Sequence, residues 1–447
     1  MDVQVWSVQE ARFAACLRFS RAVTGSFLAI HFLLPTVATA QTYGPLLETE
    51  IPLAVPSVRN KTVVERPHPE LATQGIGAGA FRLYPEISVE PGFSSNVLGS
   101  NTSSRSDVFI TAQPKLRAES QWSRHALNLS ADLVVKRYAT VSAKNEDGLR
   151  LRADGRLDLH GDSNIVAAFG FERTFEEQYT GSFPVNGGAS IAVRHPVASV
   201  RGTFVANRLR LIASAAYDGF NYSDTTTLSG APLDQDYRDR KVHRLSGRGE
   251  YLFAADSAVF LQATHRSTGY DDRSSVLTDR SSKEVRVVAG LVTDVTPIIR
   301  AALGVGYADR RYGQPGIRPV RDVVADLRVD YNVTQLSTFS LVGSRGIEEA
   351  IVPNAAGYVA SKIGLRVDHE LLRNLMVNAG VDYQRDDFKG IARLDRLVRI
   401  SAGAAYTMSR NVVITPALDY VRRRSNGVFA GPNFKEVRFV MRASFRF

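Results

Sequence analysis

Glu436-Val-Arg-Phe-Val-Met-Arg-Ala-Ser-Phe-Arg-Phe447, the carboxy-terminal stretch of the chain, alternates along its whole length. Val437, Phe439, Met441, Ala443, Phe445 and Phe447 are apolar. Glu436, Arg438, Arg442, Ser444 and Arg446 are polar, with Val440 the one exception on that face. Period two over this length describes a strand whose two faces meet different media. About 9–11 residues of tilted strand suffice to cross a bilayer. A soluble edge strand carries the same pattern, so the rest of the chain decides between the two readings.

The clearest strand is Leu149–His160. Leu149, Leu151, Ala153, Gly155, Leu157 and Leu159 share one side, and Arg150, Arg152, Asp154, Arg156, Asp158 and His160 the other. An arginine turned to lipid near the midplane costs about 2–4 kcal/mol, so the charged side must be wet. Working outward, alternating segments recur at 81–90, 108–119, 125–137, 164–174, 191–206, 209–218, 241–252, 258–266, 283–293, 298–308, 321–331, 336–345, 358–369, 375–384, 396–407 and 411–421. The phase of 191–206 is ambiguous, as a bulge would make it. Short polar turns such as Asp294-Val-Thr-Pro297, Asn332-Val-Thr-Gln335 and Ser409-Arg-Asn411 join strands in pairs. Longer loops, such as 220–240 and 422–435, separate the pairs.

This pattern predicts an all-β, transmembrane, antiparallel up-and-down β-barrel of about 18 strands, with 16 also compatible, and both ends of the barrel chain on the short-turn, periplasmic side. The aromatics agree. Phe171, Tyr217, Tyr307, Tyr383 and Tyr420 fall on apolar faces near the loop ends, and Tyr251, Tyr331, Tyr406 and Phe447 near the turn ends. Two such belts form the aromatic girdles expected at membrane–water interfaces.

The 447-residue chain is 44% hydrophobic, yet beyond residue 40 no segment approaches the roughly 18 apolar residues of a membrane-spanning helix. Its net charge of +10 would suit nucleic acid. The arginines, however, are spread singly along strands and do not cluster with stacking aromatics, so no nucleic-acid partner is expected. Residues 1–40 read as a secretory signal peptide: Arg12, Arg18 and Arg21 precede an apolar run through Phe27–Leu34, and Ala38-Thr39-Ala40 offers a cleavage site. Cys16, the only cysteine, lies in that segment, so the mature chain has no thiol chemistry. Residues 41–80 hold Pro45, Pro52, Pro56, Pro67 and Pro69 and read as an extended periplasmic segment, a linker or a partner-binding arm. Residues 81–447 form the barrel.

No catalytic, metal or cofactor motif occurs in a supporting context. His68, His125, His160, His195, His243, His265 and His369 are scattered, and the chain does not read as an enzyme. A rim site assembled from distant loops would need a histidine beside a serine or aspartate. The informative chemistry is the wet face, where Arg150, Arg152, Arg156, Arg438, Arg442 and Arg446 are the candidate lumen-lining basic residues. They either pair with acids across strands or leave a modest cationic bias that favours anionic solutes.

Phe81-Arg-Leu-Tyr-Pro-Glu-Ile-Ser-Val89, Asn96-Val97, Ser106-Asp107, Pro114, Ser123-Arg124-His125 and Tyr138 together resemble the opening of the putative beta-barrel porin 2 family, and Tyr307-Ala-Asp-Arg310 and Tyr383-Gln-Arg385 resemble its strand ends. The resemblance implies a Gram-negative outer-membrane barrel with no established catalytic residues. Through the family's association with exopolysaccharide genes, it also implies a passage for an extracellular polysaccharide and polysaccharide export proteins as partners. Phe445 and Phe447 resemble the terminal signal read by the barrel assembly machinery. Outer-membrane lipids and lipopolysaccharide would surround such a barrel. Two other functions fit the same architecture: a general diffusion porin for small anionic solutes, and a closed structural or adhesive barrel displaying its loops.

Overall fold

The computed structural model describes residues 60–66, 68–178, 183–184, 187–271, 280–314, 316–350, 352, 355 and 357–447; the signal-like segment 1–40 and residues 41–59 lie outside the described residues. The chain forms eighteen long strands: β1 (Phe81–Ser94), β2 (Asp107–Ser120), β3 (Ala126–Tyr138), β4 (Glu146–Asp158), β5 (Asn164–Phe175), β6 (Ala192–Ala206), β7 (Leu209–Tyr222), β8 (Arg240–Ala254), β9 (Ser257–Tyr270), β10 (Ser282–Thr296), β11 (Ile299–Tyr312), β12 (Val320–Thr334), β13 (Ser337–Glu348), β14 (Gly357–Leu372), β15 (Leu375–Lys389), β16 (Arg393–Ser409), β17 (Val412–Gly427) and β18 (Phe434–Arg446). Each pairs antiparallel with its sequence neighbours, and β18 closes on β1 from Glu86↔Arg446 to Ser94↔Arg438. Closure leaves no strand edge unpaired, which a lipid environment requires. Among the described residues no helix is long and apolar enough to cross a membrane.

The strands run further on the loop side than hydrophobic alternation predicts. β1 ends at 94, not 90; β7 at 222, not 218; β9 at 270, not 266. The expected loop between β15 and β16 contracts to residues 390–392. Beyond the apolar band both faces of a strand are polar, so the period-two signal disappears while the hydrogen-bond ladder continues. β6 carries no bulge. It keeps one register against β7 from Arg194↔Asn221 to Ala206↔Leu209, interrupted only at His195 and Pro196, where proline has no N–H to give. Its phase is obscure in sequence because Arg194, Pro196 and Gly202 share the outer face while Val193, Val197 and Val205 share the inner one. Register shifts occur instead at short-turn ends, between Leu252/Ala254, Asp294/Thr296, Tyr331/Thr334, Glu370/Leu372 and Thr407/Ser409.

The outer face is a band of exposed apolar side chains, with Leu129, Leu151, Phe169, Leu211, Leu261, Val305, Ile363, Ile400 and Phe439 all well exposed. Inward aromatics find room where the neighbouring strand has no Cβ. Phe109 of β2 sits over Gly92 of β1, and Phe260 of β9 over Gly290 of β10, so a side chain at either glycine would meet the ring.

Residues 60–80 depart from a free, extended segment. They contain two short 3-10 turns, Val63–Glu65 and Pro69–Leu71, and a three-residue strand, Ile76–Ala78, that pairs with the start of β1. Asn60 and Val63 are 3% and 1% exposed. Asn60 donates to the Thr296 carbonyl (3.2 Å) and accepts from Asn332 (2.6 Å), and the Val63 amide donates to Thr338 Oγ1 (2.9 Å). Further along, Glu70 pairs with Arg373 (2.6 Å) and its carbonyl accepts from Arg410 (2.8 Å). The segment therefore follows the short-turn rim from the β10–β11 turn round to β1. The Glu70 carboxyl is held below its usual value by a backbone amide and by Arg373.

Candidate functional site: the lumen wall and the loop across it

Register brings together inward charges that lie far apart in sequence. Arg446 of β18 stands opposite Glu86 of β1, Glu86 opposite Lys115 of β2, and Lys115 opposite Asp132 of β3. Asp132 faces Arg150 of β4, Arg150 faces Glu172 of β5, and Glu172 faces His195 of β6. His195 Nε2 then lies 3.3 Å from Asp218 of β7, which accepts from Arg244 of β8 at 2.7 Å. The result is a belt of alternating basic and acidic side chains across nine consecutive strands, with an imidazole in the β6 position. Opposite charges placed directly across a ladder contribute roughly 0.2–1 kcal/mol each, and the alternation keeps the wall wet but close to neutral.

The candidate basic residues take their places around this belt. Arg150 is 3.9 Å from Glu172, Arg152 is 3.5 Å from Asp154, and Arg156 is 2.8 Å from Asp158. Arg438 pairs with Glu436 (3.2 Å) and Glu177 (3.5 Å), and Arg442 with Glu90 (2.7 Å). Arg446 stands opposite Glu86 with its Nε buried and without a hydrogen-bond partner. β4 and β18 are not neighbours: β1, β2 and β3 lie between them. The Arg152 side chain is 67% exposed, and on β6 the inward Ser199 and Arg201 are exposed as well. The candidate girdle residues Phe171, Tyr217, Tyr251, Tyr307, Tyr331, Tyr383, Tyr406 and Tyr420 stand in register with apolar residues or, for Tyr217, with Ala198 and His243. Phe445 faces Ile87 and Val412, and the Phe447 amide donates to the Pro85 carbonyl.

The opposite part of the wall is covered. Arg248, Glu250, Arg266, Glu284 and Arg286 are all at most 7% exposed, and Val288, Val292 and Ala302 among them are buried in one apolar cluster with Phe260 and Val324. Arg310 is fully buried. Its guanidinium reaches Glu284 (2.7 Å), Glu349 (2.9 Å) and the Ile347 carbonyl (3.0 Å), which fastens the β13–β14 loop to the β10–β11 wall.

Loop residues supply what the alternation could not reveal. Immediately after β5, both carboxylate oxygens of Glu176 accept from Nη2 of buried Arg238 in the β7–β8 loop (2.8 Å each), whose guanidinium lies 3.9 Å over the Tyr222 ring. The next residue, Glu177, reaches Arg438 on β18. β5 and β18 are separated around the wall by β1–β4, so the chain here crosses the loop-side mouth. Burial would raise the Glu177 carboxyl, but Arg438 and Lys136 outweigh it and hold the group below its ordinary value. Phe183 anchors the same loop in a small core with Ile191, Val193, Phe220, Tyr222 and Val242. Lys144 covers the Phe183 ring, and burial pushes its amine down to about 8. The acidic doublet 176–177 directly after a strand was the one sequence signal for this crossing.

Three exposed aspartates of the β7–β8 loop, Asp224, Asp234 and Asp236, come within 4.8 Å of one another, and two of them accept from the backbone amides of Gln235 and Asp236. Ser337 Oγ lies 2.8 Å from His369 Nδ1. Hydrolytic triads present the other ring nitrogen to serine and keep Nδ1 for an acid. Among the described residues no histidine bridges a serine and a carboxylate.

Residues 68–447 match the family described as Putative beta-barrel porin 2. No curated protein sequence matches the chain. Solved structures similar to it include the outer membrane protein OpdK of Pseudomonas aeruginosa (11% identity, TM-score 0.45, covering 82% of this chain and 99% of that one). Others are OccK2 (OpdF) of the same organism (11%, 0.45, 82% and 97%) and a mutant of its ferric enterobactin receptor PfeA (10%, 0.47, 84% and 81%). With its closed eighteen-strand barrel and a match over most of its length, the chain belongs to the Putative beta-barrel porin 2 family and is an outer-membrane, porin-like channel protein.

Proposed function

We propose that the protein conducts small polar solutes through a hydrated passage along the β2–β7 side of the lumen, beneath the β5–β6 loop. The observation that carries this reading is the exposure of inward charged side chains there, above all Arg152 with 67% of its side chain exposed, against the burial of Arg248, Glu250, Arg266, Glu284 and Arg286 across the lumen. Lumen charges set solute preference by field and contact. Because acids match most cations on this wall, the preference for anions is weak, and exposed Arg201, which has no acid partner among the described residues, gives it its sign. Export of an extracellular polysaccharide through the same barrel needs a wider mouth. The Glu176–Arg238 and Glu177–Arg438 pairs would have to open first, which weighs toward small solutes in this state.

Single-channel recording in planar bilayers tests the proposal. The native protein conducts, and changing Arg150, Arg152 and Arg201 to Glu moves ion preference toward cations. The shift is greatest at low salt, where the Debye length is about 30 Å at 0.01 M against about 10 Å at 0.1 M. A native protein that assembles without conducting makes the closed structural barrel the right reading. Conduction with unchanged preference removes these residues from the passage.

A further inference from the structure

The arginine run Arg422-Arg423-Arg424 sends its members to opposite faces of β17. Arg423, on the inner face, is 2% exposed and pairs with Asp395 at 2.8 Å. Its inner-face neighbours are matched in the same way: Arg393 with Asp395 (2.7 Å), Arg399 with Asp419 (2.8 Å) and Arg438 with Glu436 (3.2 Å). On the outer face the arrangement is the reverse. Arg385 of β15 stands directly opposite Arg396 of β16, Arg396 opposite Arg424 of β17, and Arg422 opposite Lys435 of β18. Among the described residues none of these five side chains has an ion pair or hydrogen bond. Four are exposed and Arg422 is half-buried. The acid nearest in sequence on this face, Asp387, is bonded to Lys389 at 2.8 Å.

Directly opposed residues have Cβ atoms about 4.5–5.5 Å apart, and like charges so placed destabilise a sheet. Elsewhere on the loop-side outer rim several cations are compensated, Arg137 by Asp147 (2.7 Å), Lys241 by Asp271 (2.9 Å), and Arg311 and Arg321 by Asp309 (2.9 and 3.3 Å), while Arg173 opposite Arg194 and Lys283 opposite Arg311 form isolated like-charged pairs. What distinguishes β15–β18 is extent: five cations on four consecutive strands, against single opposed pairs elsewhere among the described residues.

We propose that this row binds the phosphorylated headgroup of an outer-leaflet lipid. The order of residues along the strands matches the layers of a leaflet. Two residues below Arg385 and Arg422 come Tyr383 and Tyr420, in register with Val398 and Ile400. Below these the face carries Val381, Leu418 and Phe439. Phosphate oxygens would meet the guanidinium groups, which donate in a planar fork suited to them. The rings would meet the headgroup–chain boundary, and the acyl chains the aliphatic band. The layering decides for a membrane lipid over a soluble polyanion, which would gain nothing from apolar residues set beneath the charge. The protein's lengthwise orientation, loops outward, makes the leaflet the outer one.

The test uses full-length protein in detergent micelles, with bis-phosphorylated lipid A and its dephosphorylated form as probes and native mass spectrometry as the readout. A cation near an anionic membrane surface contributes about a factor of five in affinity. Arg385→Gln/Arg396→Gln/Arg424→Gln is therefore expected to lower retention of the phosphorylated lipid by roughly 100-fold. The matching triple Lys variant, which keeps the charge, retains the lipid, and Lys241→Gln/Arg311→Gln on the compensated rim changes nothing. Folding of every variant is checked by the gel shift between unheated and heated samples. If the triple Gln variant does not fold, the Lys variant and the dephosphorylated lipid carry the test alone. Equal retention of the two lipid forms by the native protein overturns the proposal, as does equal retention by native and triple Gln proteins. Displacement of the lipid by excess inorganic phosphate alone also overturns it, because the surface then reads free anion, and so does loss of a dimer instead of a lipid in the triple variant.

Discussion

The two sides of the lumen are built on one strand pattern and differ in what lies over them. On β1–β7, below the buried aromatics at the loop end, many inward residues are charged or small; the belt through Glu86, Lys115, Asp132, Arg150, Glu172 and His195 is only half-buried. On the other side Arg248, Glu250, Arg266, Glu284, Arg286 and Arg310 are buried and interleaved with Val288, Val292, Ala302 and Val324, with the Arg328 side chain of β12 exposed at the margin. A charge in the first setting keeps its hydration. In the second it depends wholly on its partner, as Arg286 depends on Asp326 at 2.5 Å. The lesson is that inward does not mean wet: burial within a barrel has to be established wall by wall.

The largest effect separates the two sides directly. Arg286→Glu sets a buried acid against Asp326 and should cost about 3–5 kcal/mol, whereas Arg152→Glu should cost under about 1 kcal/mol, as exposed pairs do. Urea midpoints of the refolded barrels measure both, and equal losses would break the comparison. Next in size, Leu151→Arg, one residue from Arg152 but facing outward, should lose up to about 2–4 kcal/mol and fold poorly into vesicles. If it assembles as readily as Arg152→Glu, the facing of β4 is wrong. The smallest effect sharpens the open side. Glu177→Gln removes the charge that holds the β5–β6 loop to Arg438 while leaving Glu176–Arg238 in place, so unit conductance should rise without loss of heat-modifiable mobility. Unchanged conductance would take this contact out of the passage.

Much of this architecture was legible beforehand because a membrane barrel imposes its rule on every strand. Where lipid touches one face, the residues must alternate, and Leu149–His160 or Glu436–Phe447 can satisfy that rule in one way only. Strand number, order and the pairing of short turns with longer loops follow from the same rule. Above the apolar band the rule lapses, and so the sequence missed the last residues of β1, β7 and β9 and the contraction of the loop between β15 and β16 to residues 390–392.

What the sequence by itself determined, then, is which faces meet lipid, because desolvating a charge costs several kcal/mol and leaves a local mark at every second residue. The tertiary structure alone decided which charges meet. Whether Arg150 finds Glu172, Arg438 finds Glu177 or Arg385 is left facing Arg396 depends on strand register and on loops that cross the mouth. Those contacts join residues from about ten to more than two hundred positions apart and leave no periodic trace. Residues 60–80 make the same point: their prolines mark a segment that is not a membrane strand, and only the fold shows Val63 buried against Thr338 on the inner wall.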